Sequence, residues 1–535
     1  MAYLEIQTHR KNPIGLLRQS YREDGKVKKE TLGRITGFSL EELKAFQATF
    51  KGQTIGLNEI EIVNSREYGA SHTLLTYIKS IGLDKALYSR PSEQWVKLVI
   101  GMIIGRLLYK GSKLSLTRTL DYTTLWSQLG IGDIAHDVNF FYDAMDELFK
   151  RQGAIQKKLA NRHLQNGELL LYDITSSYVV GEYSDTELVS YGYNRDRKKG
   201  FEQIVIGLLC NQEGCPIGVE VFQGNTRDNT TVEGQIKKIT NQYGFSKITF
   251  IGDRGMIQPD SIENMSSLQD DGLTLTSVTA LTHSKLKKVC VEHQLTNEKE
   301  EIFPAERVFS EYPDKRVVLY YNSQRAKESQ ETRRALMTKT EQALKGVQDK
   351  KRPVTDDVVG VRVGKVINQY KVGKFFNVLI KNGQLKWTIK QDLVKEEEKY
   401  DGLYAVVTDV PKEQLNSKDI VHQYKRLSRV EQAFRVLKSS LLELRPIRHH
   451  TDDRIRGHVF LCMLSYYVTW HMTKDLQPIL EKRTSGQGWS CTMDDILENL
   501  KSIRENELIV NDVPVKKVTT ANSKQQKIID LLLNQ

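Results

Sequence analysis

The chain has 535 residues, too many for a single hydrophobic core, so several domains are expected. Its 78 Lys and Arg outnumber 67 Asp and Glu, for a net charge of +11 and a pI near 9.1, which favours a polyanionic partner, nucleic acid first; a solvated basic surface with no partner is the bland alternative. Residues 99–108, the most apolar stretch, contain Arg106 and fall short of the roughly 20 residues a spanning helix needs, residues 1–13 lack an apolar signal block, and the five scattered cysteines have no zinc spacing. A cytoplasmic protein with no membrane span and no structural zinc follows.

In chain order, a first module over 1–60 centres on Asp24-Gly25, a two-residue hairpin signal flanked by strand-like runs at 16–22 and 26–35. Arg18, Arg22, Lys26, Lys28, Lys29 and Arg34 make this N-terminal β-hairpin basic, and both a DNA backbone contact and a solvated ribbon are open readings. Residues 61–165 are helical in pattern. Ser92-Glu93 opens a helix carrying Trp95, Leu98, Val99 and Met102, and 137–150 is a second amphipathic stretch with Phe140, Phe141 and Phe149. A helical DNA-binding region suits the charge, though no helix-turn-helix signature is present and a bundle that only packs on its neighbour is the alternative.

The pattern then changes to strands at 168–178, 203–211 and 216–224, a helix at 229–243 and a strand at 247–253. This β-β-β-α-β order, the first part (166–281) of a catalytic core, brings the first and fourth strands side by side. Asp173 and Asp253 sit inside or at the end of apolar strand runs, an expensive placement unless a cation or donor compensates the charge. Residues 282–400 mix β-like runs at 316–321 and 375–380 with a charged segment at 323–348, and read as an inserted β-rich domain. The core resumes over 401–475 with a strand at 401–408 and a helix over 424–444.

On that helix, at about 100° per residue, Tyr424, Glu431, Arg435 and Lys438 fall within a sector of roughly 60°, and Val430, Phe434, Leu437, Leu441 and Leu444 form a separate apolar stripe. A salt-bridged surface helix with Glu431 and Arg435 as an i, i+4 pair is the plain reading. The sharper one gathers Asp173, Asp253 and Glu431, oxygen ligands from two strands and a helix, around a pair of Mg²⁺ ions. Asp228 reads as a helix-opening cap with a carboxylate ligand as the alternative, the run Arg195, Arg197, Lys198, Lys199 as a DNA contact or a solvated loop, and His449, His450 and His458 as structural or surface residues. Residues 476–535 form a C-terminal helical region, with helices near 492–504 and 523–533.

The segment from Tyr424 through Glu431 to Lys438 resembles the Tyr-x-x-Arg-x-x-x-Glu-x-x-x-x-x-x-Lys signature of DDE transposases of bacterial insertion sequences, in the insertion-sequence-four-like branch. Leu427 stands where the signature has arginine, and Arg435, on the face of Glu431, is the candidate replacement. Also similar to the family are Tyr172-Asp173-Ile174-Thr175-Ser176, Gly192-Tyr193-Asn194-Arg195-Asp196, Gly224-Asn225-Thr226-Arg227-Asp228, Gly252-Asp253-Arg254-Gly255 and Leu444-Arg445-Pro446-Ile447. The resemblance implies an α/β fold, an RNase H-like mixed sheet flanked by helices and split by the insertion. It also implies an enzyme that binds its element's terminal inverted repeats, cuts double-stranded DNA and joins the 3′ ends to target DNA, as a homodimer on DNA.

In that reading Asp173 bridges two Mg²⁺ ions, for which Mn²⁺ is a substitute, Asp253 and Glu431 each complete one shell, and Lys438 and Tyr424 bind phosphates near the cut. Trp387 is either a base-stacking residue, as in some family members, or a packing residue of the insertion. A nuclease without strand transfer and a catalytically idle DNA-binding derivative share most of these features and are the alternatives.

Overall fold

Asp24 and Gly25 both take positive φ, 50° and 73°, the conformation a two-residue turn needs, and the strands beside them pair antiparallel with Glu23 opposite Lys26. The computed structural model describes residues 2–8, 12–51, 60–196, 198, 200–254, 256, 274–298, 304–309, 312–349, 355–480, 491–510 and 513–534. They divide into two compact units, one of Met1–Lys158, Tyr178–Glu187 and Arg435–Gln535, the other of Leu159–Ser177 and Leu188–Phe434.

In the first unit, β1 (Ala2–Gln7), β2 (Ile14–Glu23) and β3 (Lys26–Ile35) form an antiparallel sheet. The helix Leu40–Phe50 packs on β1, burying Leu43, and a reciprocal Ser39 and Glu42 capping box starts it. After β4 (Ile60–Glu67) come the helices Gly69–Ser80, Gln94–Leu108 and Val138–Lys150. Gln94–Leu108 is buried along most of its length, as its near-continuous apolar composition requires. Among the described residues, no helix is long and apolar enough to cross a membrane.

The second unit is built on one mixed sheet. Its strands are β5 (Leu169–Tyr178), β6 (Gln203–Asn211), β7 (Pro216–Gln223), β8 (Lys247–Gly252), β9 (Thr274–Ala280), β10 (Ala305–Phe309), β11 (Tyr312–Tyr321) and β14 (Leu403–Thr408), with β12 (Phe376–Lys381) and β13 (Gln384–Ile389) apart as a hairpin. The spatial order is β10-β11-β14-β9-β8-β5-β6-β7. β8 runs parallel to both β5 and β9, whereas the β6–β7, β9–β14, β14–β11 and β11–β10 pairs are antiparallel. β5, β6 and β8 are buried along nearly their whole length, on both faces, although β5 carries Asp173, Thr175 and Ser177 on one of them. On one face Leu170, Tyr172 and Ile174 of β5 pack with Val232, Ile236 and Ile239. By strand alternation Asp173 points to the other face.

Two expectations for this unit are corrected. The helix over 229–243 is three short pieces in succession, a 3₁₀ turn (Asp228–Thr231), an α-helix (Val232–Lys237) and a π-helix (Lys238–Tyr243), closed by Gly244 at φ 85°. The stretch 282–400 is not a β-rich insertion. Its β10 and β11 belong to the large sheet, and the excursion between Tyr321 and Leu403, which pair with each other, is mostly helical: Ser323–Gln348, Asp356–Gln369 and Gln391–Glu398 around the β12–β13 hairpin. The charged run at 323–348 is the solvated face of a 26-residue helix that buries Ala326, Met337, Thr340 and Leu344.

Returning to the first unit, Asp452–Asp475 packs against Gln94–Leu108 and Val138–Lys150. The C-terminal region is not wholly helical: between the helices Met493–Lys501 and Ser523–Leu533, β15 (Arg504–Val510) pairs with β16 (Val513–Val518) and, antiparallel, with β4. Strand pairing at this separation leaves no local signature in composition or spacing.

Candidate catalytic carboxylate site

Parallel pairing of β5 with β8 runs through Leu171 opposite Ile251 and Tyr172 opposite Gly252. Asp173 and Asp253 each follow that last pair by one residue: β8 ends at Gly252, just before Asp253, whereas β5 runs on through Asp173 to Tyr178; neighbouring strands lie about 4.8 Å apart. Asp253 is exposed. Its Oδ1 accepts from the Tyr424 hydroxyl at 3.2 Å and from the Arg254 backbone N–H at 2.7 Å, and the Arg254 guanidinium stands 3.9 Å away.

Burial pushes the Asp173 carboxyl up to about 7, opposed by the Ile174 backbone N–H at 2.8 Å. Asp253 and Glu431 raise it further by like-charge repulsion, and the Arg195 guanidinium lowers it. Both other carboxylates therefore lie near enough to act on Asp173. Glu431 is exposed and, among the described residues, its carboxylate has neither a hydrogen bond nor an ion pair, so the salt-bridged pair with Arg435 does not form. Asp173, its carboxyl raised by burial and by the Asp253 and Glu431 charges, forms with those two acids a hard-oxygen donor set whose repulsion a divalent cation would relieve.

The helix expected over 424–444 is two helices, Ser417–Lys425 and Ser428–Lys438, joined by a turn at Arg426 and Leu427. Asn416 caps the first by accepting from the Lys418 and Asp419 N–H groups, and the Ser428 hydroxyl donates to the Lys425 carbonyl at the junction. Tyr424 thus reaches Asp253 from a different helix than the one bearing Glu431, and burial followed by the Asp253 charge keeps its hydroxyl protonated far above the ordinary tyrosine range. Leu427 is buried in the turn. Arg426 and Arg429 are engaged by Gln212, at its side-chain oxygen (3.0 Å) and its carbonyl (2.6 Å). Leu441 and Leu444 lie beyond the second helix, though still buried.

Arg195 is the residue whose importance the sequence pattern understated. Its guanidinium is bound to Asp228 Oδ1 at 2.5 Å, and its backbone N–H donates to the Ser176 hydroxyl at 2.8 Å. Asp228 accordingly is an ion-pair partner, and not the helix cap it resembled: the cap position is Arg227, which makes no side-chain capping bond. Two glycines make this geometry possible. A Cβ on Gly192 would lie 2.1 Å from the Gly224 carbonyl oxygen, and one on Gly224 would lie 2.1 Å from the Gln203 carbonyl oxygen. The loops carrying Arg195 and Asp228 therefore meet backbone to backbone, stitched by the Gln203 amide donating to the Gly224 carbonyl at 2.7 Å. Arg197, Lys199 and Gly255 lie outside the described residues.

The remaining candidates occupy other places. Arg435 is exposed near the end of Ser428–Lys438, and Lys438, its last residue, lines a cavity of about 550 Å³ in the first unit. Trp387 lies on β13 opposite Val378, partly buried against the core of the insertion formed by Met337, Leu344, Val359, Val363 and their neighbours.

Comparison with curated proteins finds no match. A family model described as "Transposase DDE domain" matches residues 165–468, which is more than half of the chain and includes all three carboxylates. The chain belongs to the transposase DDE domain family.

Proposed function

We propose that Asp173, Asp253 and Glu431 are the metal-binding catalytic carboxylates of a DNA transposase of the insertion-sequence-four-like branch, with an RNase H-like core, which cuts DNA at its element's terminal inverted repeats and joins the 3′ ends to target DNA. The observation that carries this reading is the parallel register of β5 and β8, whose last pair, Tyr172 opposite Gly252, is followed by an aspartate in each segment, with the Asp253 and Glu431 charges both acting on the Asp173 carboxyl. Divalent cations bound there, two Mg²⁺ or in their place Mn²⁺, supply Lewis-acid chemistry that activates an attacking oxygen and stabilises the leaving one.

The chain's own residues do the positioning. Tyr424 donates to Asp253 and fixes its rotamer; Arg195 tempers the charge beside Asp173; Lys438, with Arg435 standing in for the arginine absent at Leu427, binds DNA phosphates and holds the strand in line. Trp387 is assigned to packing of the insertion. Two DNA ends must meet, so the active species is a homodimer on DNA.

The test incubates the protein with Mg²⁺, a labelled duplex carrying the inverted repeats that flank the gene, and a plasmid. Joined products from the wild type and none from Asp253→Asn are expected. Cut ends that never join would reduce the enzyme to a nuclease, and full activity in Asp253→Asn would refute the carboxylate assignment.

A further inference from the structure

Lys113 is 4% exposed, yet among the described residues no carboxylate pairs with it. Its ammonium faces two imidazoles instead, His449 Nε2 at 3.0 Å and His458 Nδ1 at 2.9 Å. The other ring nitrogen of His458 is 3.4 Å from the Leu444 carbonyl, which suits the tautomer with its proton on Nε2 and leaves Nδ1 to accept from Lys113. Burial, then the Lys113 charge, holds His449 down at about 2 and His458 well below its ordinary range, so both rings act as neutral acceptors. Burial and the neighbouring Arg106 in turn push the Lys113 ammonium down to about 7.

An ammonium has three N–H donors, and the imidazoles use two. Lys113 lines the 550 Å³ cavity together with Arg106, Arg448, His449 and His458; among the described residues, five Lys or Arg side chains and one carboxylate, Glu443, border it. That carboxylate accepts from the Gly111 backbone N–H at 3.1 Å. Arg106 is anchored by donating to the Leu442 and Glu443 carbonyls at 2.5 and 3.3 Å, and Glu443 is in a left-handed conformation at φ 43°. A buried cation in a cation-rich cavity is costly unless an anion enters it.

We propose that this cavity is a phosphate-binding site centred on Lys113, with Arg106 and Arg448 as further cations and His449 and His458 as the acceptors that orient the ammonium. A DNA backbone and free inorganic phosphate offer the same oxyanion chemistry; Lys438, given a phosphate contact above, borders the same cavity, and because the readouts are binding and melting the proposal stands or falls without any cleavage assay.

The test uses the full chain, as wild type, Lys113→Met and Arg448→Gln; Arg448 is exposed, so its substitution leaves folding intact even if the buried Lys113→Met does not fold. Anisotropy of a labelled duplex is followed across KCl concentrations, and thermal melting is followed in inorganic phosphate against chloride at matched ionic strength. A fall of about 1 in the salt slope of DNA affinity in a variant supports occupation by a DNA phosphate. An unchanged slope with loss of the phosphate-specific rise in melting temperature supports free phosphate. Folded variants that match the wild type in both readouts overturn the proposal.

Discussion

At the carboxylates, repulsion and function oppose one another. Asp173 is held near 7 by burial and by two neighbouring acids, so removing one of those charges relieves strain in the metal-free protein while removing a ligand. Glu431→Gln is therefore expected to keep or raise the melting temperature without metal and to lower Mg²⁺-dependent DNA cleavage on the order of 10³-fold. Calorimetric melting beside a cleavage assay checks both, and a variant that loses stability and activity together would assign Glu431 a structural role.

Glu306 offers a residue-scale prediction of the opposite sign. The Arg316 guanidinium, at 3.0 and 3.1 Å, holds its carboxyl down to about 2 against burial, with help from the Ser417 hydroxyl at the start of the helix that carries Tyr424. A depressed carboxyl contributes its stability in full above the unfolded value near 4.5 and loses it as the pH falls through 2. Glu306→Gln should cost on the order of 2 kcal/mol at pH 7, with the gap to wild type narrowing between pH 4.5 and 2. A pH-independent difference would contradict this.

Among the elements, the paired loops after β5 and β7 depend on two glycines. Gly192→Ala drives a Cβ into the Gly224 backbone, and should cost about 2 to 3 kcal/mol and displace Arg195 from Asp228. Chemical denaturation measures the first effect and a crystal structure of the variant the second; an undisturbed ion pair would show that the loops yield elsewhere. β5 and β8 are legible in the chain because an apolar run beside a carboxylate, Asp173 within β5 and Asp253 just after β8, marks a buried strand at a polar site. The Arg195–Asp228 pair is not, because its partners are brought together by tertiary packing of two loops. The break at Leu427 was equally hidden: helical periodicity continues through it, and only the turn bonds at Arg426 and Leu427 reveal it. Asn382-Gly383, by contrast, carried a hairpin signal that could have located β12 and β13, since both residues take positive φ, 53° and 72°.

Over the whole molecule, the first unit is tied together by segments from opposite ends of the chain. β15 pairs with β4 from Arg504 opposite Glu67 to Val510 opposite Ile60, and the Ile503 carbonyl accepts from the Tyr68 and Gly69 N–H groups at 3.1 and 2.9 Å. Truncation after residue 491 should lower the melting temperature and speed hydrogen exchange at Tyr68 and Gly69, with little change in β5 and β8. Unaltered exchange there would show that the C-terminal strands are dispensable. Order along the chain could not disclose this closure, nor that β10 and β11 extend the central sheet, since each depends on which edge lies open when the chain returns.

The most direct measurement is anomalous diffraction from crystals soaked in Mn²⁺. Peaks within about 2.0 to 2.2 Å of carboxylate oxygens of Asp173, Asp253 and Glu431 are expected. Manganese bound elsewhere, or at only one of the three side chains, would contradict a shared metal centre.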